Sequence, residues 1–447
     1  MLHKTAILLL VLVSLTSSYI SIANPLLLSA ELVENSWSSQ LSMPTPRAYL
    51  GLATVNGKIY AIGGDAYGTN EMYDSVQNNW TTKTPMPTPR SGFGIAVYQN
   101  RIYCIGGRNS SGKTTSLNEV YDPETDTWEI KKPMPTARRL VEANVADGKI
   151  YLMGGEPDRT LNEAYDPETD SWIRKASIPF IETGYNAVGG DYYASAVVDN
   201  EIYLIGIVGF FAQGEGAKLL NQIYNPETDS WTVGAPPPSG TTPDAAGVTT
   251  GMWAPKRIYI IGRDRSNRAY DPASDSWICC NSVPSNLPGF GVAVPNDKLY
   301  VIGGQRFDFN VYHYMPSDGN REYTPFGYGT IPPVVSVVSP ENKMYNVTDV
   351  SLAFTLNKPA LWMGYNLDGQ DNVTVTSNIT LSGLANGLHN VTVYARDEFE
   401  NIGASETIYF TIDAPEPFPT IPVAVASVAA VIVVGAGLLI YFRKRKQ

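Results

Sequence analysis

The stretch from Arg101 to Arg138, RIYCIGGRNSSGKTTSLNEVYDPETDTWEIKKPMPTAR, decides the fold. It joins an apolar strand ending in Tyr103-Cys-Ile-Gly106-Gly107 to Tyr121-Asp-Pro-Glu-Thr-Asp-Thr-Trp128 and then to the linker Met134-Pro-Thr-Ala-Arg138. In the middle piece Pro and Asp set a turn and the flanking aromatics pack on a sheet, so it reads as a hairpin. Working outward, the first piece recurs at Tyr60, Tyr151, Tyr203, Tyr259 and Tyr300, giving six copies at intervals of about 41 to 56 residues. The hairpin recurs from Tyr165 to Trp172, Tyr224 to Trp231 and Tyr270 to Trp277, and without its Pro from Tyr73 to Trp80. The linker recurs as Met43-Pro-Thr-Pro-Arg47 and Met86-Pro-Thr-Pro-Arg90.

Each unit holds four short strands, a to d. In the second unit they run Gly92 to Tyr98, Arg101 to Ile105, Asn118 to Tyr121 and Thr127 to Ile130. One such sheet cannot bury both faces alone, whereas six arranged radially can. Together with the spaced Tyr and Trp, the di-glycine resembles the kelch repeat over about residues 37 to 326. The fourth and fifth units depart from it at Gly206-Ile207 and Gly262-Arg263, and the sixth lacks the Trp. Trp37 reads as a strand d without its sheet, expected to join the sixth unit and close the ring, with Tyr323 as a competing candidate.

The 447 residues carry 39 Gly, 32 Pro and 17% charged residues, too long for one core and too turn-rich for a helical protein. A net charge of −11 speaks against nucleic-acid binding. With three Cys and three His, the chain gives no metal site and no cofactor motif. The expected fold class is all-β: a six-bladed kelch β-propeller (24–330), then a small Ig-like or fibronectin-like β-sandwich (331–413) and a C-terminal transmembrane helix. The sandwich rests on alternating segments at Val350 to Leu356, Leu361 to Asn366, Val391 to Ala395 and Thr407 to Ile412.

Residues 1–23 read as a cleaved secretory signal ending at Ser21-Ile22-Ala23. A Pro-rich stalk (414–420) leads to an uncharged run from Ile421 to Phe442, about 33 Å as a helix. Residues 443–447 form a basic tail that the positive-inside tendency keeps cytoplasmic, which puts the rest outside the cell membrane. Six sequons, at Asn79, Asn109, Asn346, Asn372, Asn378 and Asn390, fit that location.

In a four-strand up-and-down unit, the b-to-c loop and the d-to-a linker emerge on one face, and more than half of the ectodomain arginines fall there. Arg47, Arg90 and Arg138 would ring a channel mouth, joined by Arg108, Arg263 and Arg306, a charge arrangement suited to an anionic ligand. The competing reading is that Arg after Met-Pro-Thr-Pro is a packing feature. Phe210 and Phe211, in an insertion on the same face, are candidate ligand contacts or a local mini-core. No catalytic residues are assigned. The expected partner is an extracellular protein or anionic glycan, as the kelch resemblance implies for this face. The alternative is a sugar-modifying enzyme similar to the sialic acid mutarotases, with Glu142 or Glu182 available to it.

Overall fold

The computed structural model describes residues 33–179, 192–208, 218–285, 288–308, 310, 312–415, 434, 436, 438 and 443. Most of it is six four-stranded antiparallel sheets in a propeller-like ring. Their innermost strands, a, are Gly51–Val55, Gly94–Tyr98, Glu142–Ala146, Tyr192–Val198, Pro243–Thr249 and Phe290–Ala293.

Repetition of two aromatic contacts explains why these sequences make a ring. Within each sheet, a strand-c Tyr packs on a strand-d Trp, as in Tyr121 and Trp128 with ring centroids 5.1 Å apart. Between sheets, the strand-b Tyr meets the strand-c Tyr of the next sheet, as in Tyr60 and Tyr121 at 5.8 Å and Tyr259 and Tyr323 at 5.9 Å. A third device ties the Tyr to the neighbouring sheet. The Tyr hydroxyl donates to the last Asp of the turn, which also accepts a backbone N–H from the linker of the neighbouring sheet: Tyr165 and Lys132 both donate to Asp170, at 2.7 and 2.9 Å. Each such Asp has positive φ (Asp126 56°, Asp170 48°), a backbone region that Asp and Asn tolerate best among residues with a side chain.

Ring closure uses both candidates rather than one. Tyr323 belongs to strand c of the sixth sheet, Asn320–Thr324, and Trp37 lies on Ser36–Ser39, which pairs beside it as strand d. The Trp37 indole donates to Asn281 O at 2.8 Å. Asn35 takes the place of the turn Asp, accepting from Tyr323 Oη at 2.7 Å and Asn281 N at 2.7 Å. The sixth sheet also carries an unforeseen hairpin between strands b and c, Gln305–Asp308 with His313–Pro316.

Beyond Pro332, a three-stranded sheet (Val335–Ser339, Val350–Leu356, Ile379–Leu381) and a six-stranded sheet share a core that includes Leu352, Val391, Val393 and Phe410. This region docks on the fifth sheet's a-to-b loop. Trp253 and Tyr328 pack against Phe399, and a buried Lys358–Asp397 ion pair (2.7 Å) sits with its ammonium 4.7 Å from the Trp253 ring centroid. Residues 1–23, Phe210, Phe211 and most of 414–447 lie outside the described residues. Val434, Ala436, Leu438 and Arg443 are helical and exposed. Among the described residues no helix is long and apolar enough to cross a membrane.

Candidate functional site

The linker arginines do not ring the mouth. Arg47, Arg90 and Arg138 are 0%, 1% and 0% exposed. Arg47 donates to Ala61 O (3.0 Å), Gly63 O (3.1 Å), Thr69 O (2.8 Å) and Glu71 Oε2 (2.7 Å). Arg90 does the same with Gly106 O, Cys104 O and Glu119, and Arg138 with Gly154 O and Glu163. The motif Thr completes each site, Thr45 Oγ1 donating to Glu71 at 2.8 Å, Thr88 to Glu119 at 2.7 Å and Thr136 to Glu163 at 2.9 Å. These cations saturate carbonyls at the end of strand b and a buried carboxylate on strand c, which leaves no guanidinium face for a ligand. The signal was in the sequence: Asn70-Glu71, Asn118-Glu119 and Asn162-Glu163 occur in the three units preceded by the linker Arg. Without that Arg, the other units have Asn221-Gln222, Asn267-Arg268 and Asn320-Arg321.

The remaining expected residues are dispersed. Exposed Arg108 closes its own loop through Gly112 O at 2.9 Å. Arg306 is exposed on the extra hairpin, opposite Met315, while the exposed Tyr312 and Tyr314 rings contact Phe307. Of the sequon residues, Asn79, Asn346, Asn372 and Asn378 are exposed and Asn109 and Asn390 half-buried. Of the described candidates, Arg263 alone reaches the channel, where its Nε donates to Asp244 Oδ1 at 2.7 Å.

That channel is a cavity of about 340 Å³, open at its mouth and lined by strands a and the linkers that enter them. Small residues keep it narrow: a Cβ on Gly51 would lie 2.7 Å from the Phe93 ring, and one on Gly291 2.5 Å from Leu52 Cγ. Leu52, Phe93, Ile95 and Phe290 make one side apolar. The other side is polar. Glu142, the first residue of its strand, accepts from Ser195 Oγ at 2.9 Å. Tyr193 donates to Leu140 O at 3.0 Å and accepts from Gly155 N. Asp244 takes Gly289 N at 2.8 Å as well as Arg263.

Burial pushes the Glu142 carboxyl up to about 7; Ser195 pulls the other way and Asp244 adds to the rise. Burial also raises Asp244, outweighing the pull of Arg263. A carboxyl titrating near neutrality beside a hydroxyl can hold or release a proton. Among the described residues no group of His, Cys, Asp or Glu is placed to hold a metal ion. Tyr193, Ser195 and Asp244 were missed because no motif marks them. What the sequence offered was only their place at the start of strands in units that lack the linker Arg.

Residues 27–206 match the KLHDC2/KLHL20/DRC7 Kelch-repeats domain. The chain carries a kelch-repeat domain. It is similar to halomucin of Haloquadratum walsbyi, 40% identical over 129 residues covering 25% of this chain and 1% of halomucin. Kelch-like protein 24 of Rattus norvegicus is 33% identical over 86 residues, 19% of this chain and 14% of that protein. Kelch repeat and BTB domain-containing protein 2 of cowpox virus is 28% identical over 246 residues, 48% of this chain and 42% of the viral one. The chain thus spans less than half the length of these curated relatives. The solved structure of YjhT has a TM-score of 0.48 at 16% identity, covering 63% of this chain and 96% of that one.

Proposed function

We propose that this chain is a cell-surface binding protein whose six-bladed kelch propeller offers the linker face to an extracellular protein or glycan. It would stand on an Ig-like sandwich and be held by one C-terminal span, with residues 24–420 outside the cell. The carrying observation is the cavity at that face, walled by a carboxylate and a carboxylate–guanidinium pair on one side and by apolar rings on the other. Supporting it, kelch repeats commonly mediate protein–protein contacts. The sandwich docks at the fifth sheet's a-to-b loop, the end of the ring opposite Asp244 and Arg263, so the mouth points away from the sandwich.

The test is a screen of the full chain, in detergent or vesicles, against glycan and peptide arrays, repeated with Ser195→Arg, which puts a bulky cation into the cavity beside Glu142. Loss of the captured ligand is expected; undiminished capture would overturn the site. A second reading, an enzyme acting on sugars, draws on the proton that Glu142 can exchange near neutrality. It requires exchange between sugar anomers, followed by NMR, to be accelerated by the wild type and not by Glu142→Gln.

A further inference from the structure

Resting on the reading of the channel mouth as a binding site, we infer that the cavity takes a Lys or Arg side chain presented by a protein partner. Charge on the polar side is unbalanced. Glu142 and Asp244 both face the cavity, Arg263 pairs with Asp244, and among the described residues Glu142 is held by Ser195, through its hydroxyl and its backbone N–H, and by no cation. A cation entering from the mouth meets Glu142 as an acceptor with no basic residue to displace among the described ones. Apolar residues complete the fit: Leu52, Phe93, Ile95 and Phe290 line the same space and suit the methylene stem of a long basic side chain, which has an apolar body and a charged tip. The volume, about 340 Å³, has room for one such side chain with its terminal group beside Glu142. A neutral sugar would leave the Glu142 charge unanswered, and an acidic residue would meet two carboxylates.

Protonation then controls occupancy. Among the described residues, the polar side chains that line the cavity with Glu142 are Tyr193 and Ser195 from the fourth sheet, Asp244 and Arg263 from the fifth and Tyr49 from the linker into the first; the second sheet contributes Gly92, Phe93 and Ile95, which carry no charge. With the Glu142 carboxyl at about 7, a cation must bind the ionised form, so affinity climbs from acid to neutral pH by up to tenfold per unit and levels off above 7.

The experiment is calorimetric titration of the full chain with a short peptide centred on Lys, its Arg twin, and twins carrying norleucine or Glu. The Lys and Arg peptides should bind at least about tenfold more tightly than the other two, with the stated pH profile. Glu142→Gln should remove both the preference and the pH dependence, and unchanged far-ultraviolet circular dichroism would show that it folds; Glu142→Asp should retain the sign of the preference. Preference for the Glu peptide, a flat pH profile, or no binding of any probe at millimolar concentration would overturn the inference. The outcomes separate the two readings. If Ser195→Arg abolishes capture of an acidic or neutral ligand, the mouth remains the site and only its chemistry is wrong; if capture survives Ser195→Arg, the mouth itself is wrong.

Discussion

The two halves of the ring are built from the same repeat and held differently. In the first three sheets a buried arginine ties the linker to strand b carbonyls and to a strand c glutamate, Arg47 with Glu71, Arg90 with Glu119 and Arg138 with Glu163. In the last three the glutamate is replaced by Gln222, Arg268 and Arg321, and the linkers carry no arginine. Both halves share the Tyr–Trp contacts and the turn Asp or Asn, so those suffice to form a sheet and dock it on its neighbour. The channel's polar cluster begins at the seam, with Glu142, and continues through Tyr193, Ser195, Asp244 and Arg263 into the half without buried arginines. Arginine serves the scaffold in one half and the channel wall in the other.

The largest effect that could break this comparison comes from Arg90→Met. Stranding Glu119 in the interior should lower unfolding stability by about 3 to 5 kcal/mol, the usual result of removing one partner of a buried ion pair. Arg268→Met, in the equivalent region of the fifth sheet, should cost less than about 1 kcal/mol. Denaturant titrations followed by Trp fluorescence measure both, and equal losses would erase the distinction.

Next in size is ring closure, which joins the two halves. Trp37→Ala should cost about 3 kcal/mol because the ring is half-buried against Tyr323, and Asn35→Ala about 1 to 2 kcal/mol because two donors lose their acceptor. A melting temperature unmoved by both would mean that Ser36–Ser39 contributes nothing to the closed ring.

Acid and base separate the two kinds of carboxylate. Asp170 and Asp275 are held below the usual range by the Tyr165 and Tyr270 hydroxyls, together with backbone N–H groups. Their stabilisation is present above the ordinary carboxylate range and lost as pH falls through their lowered values. Glu142 has the opposite sign: raised from 4.5 to about 7, it favours the folded state at acid pH and withdraws that support as pH rises between those values. Glu142→Gln should therefore flatten the decline between pH 4.5 and 7, a difference on the order of 2 kcal/mol, while Asp170→Asn should flatten only the loss below it. Thermal melts across pH test the signs. The smallest effects belong to arginines standing in solvent: Arg108→Ala and Arg306→Ala should stay within about 0.5 kcal/mol of wild type.

What was legible in the sequence was whatever repeats. Six Tyr-x-x-Gly strands, the Tyr-to-Trp hairpins and the orphan Trp37 fixed the sheets and their closure, because side-chain alternation and turn chemistry act locally. The alternating segments near Val350 and Val391 likewise marked strands of the second region. Where the arginines point was not legible from the linker alone: a basic residue after a turn reads as exposed unless its carboxylate, 24 residues onward for Arg47, is matched to it. Asn35 was overlooked because the turn residue it replaces is Asp in four other units, although Asn78 already showed the substitution. The channel cluster escaped for a physical reason as well. Glu142, Ser195 and Asp244 come from three separate strands, about 50 residues apart in turn, that meet only when neighbouring sheets pack side by side.

The account's central claim is that the channel carries a carboxylate with no cationic partner among the described residues, and the titration of Glu142 itself tests it most directly. Carboxyl ¹³C shifts of the full chain labelled at Glu, with Glu142→Gln to assign the resonance, should give a midpoint at about 7. A midpoint near the ordinary 4.5 would mean an open, hydrated mouth or an unseen cation beside Glu142, and would contradict the site described for it.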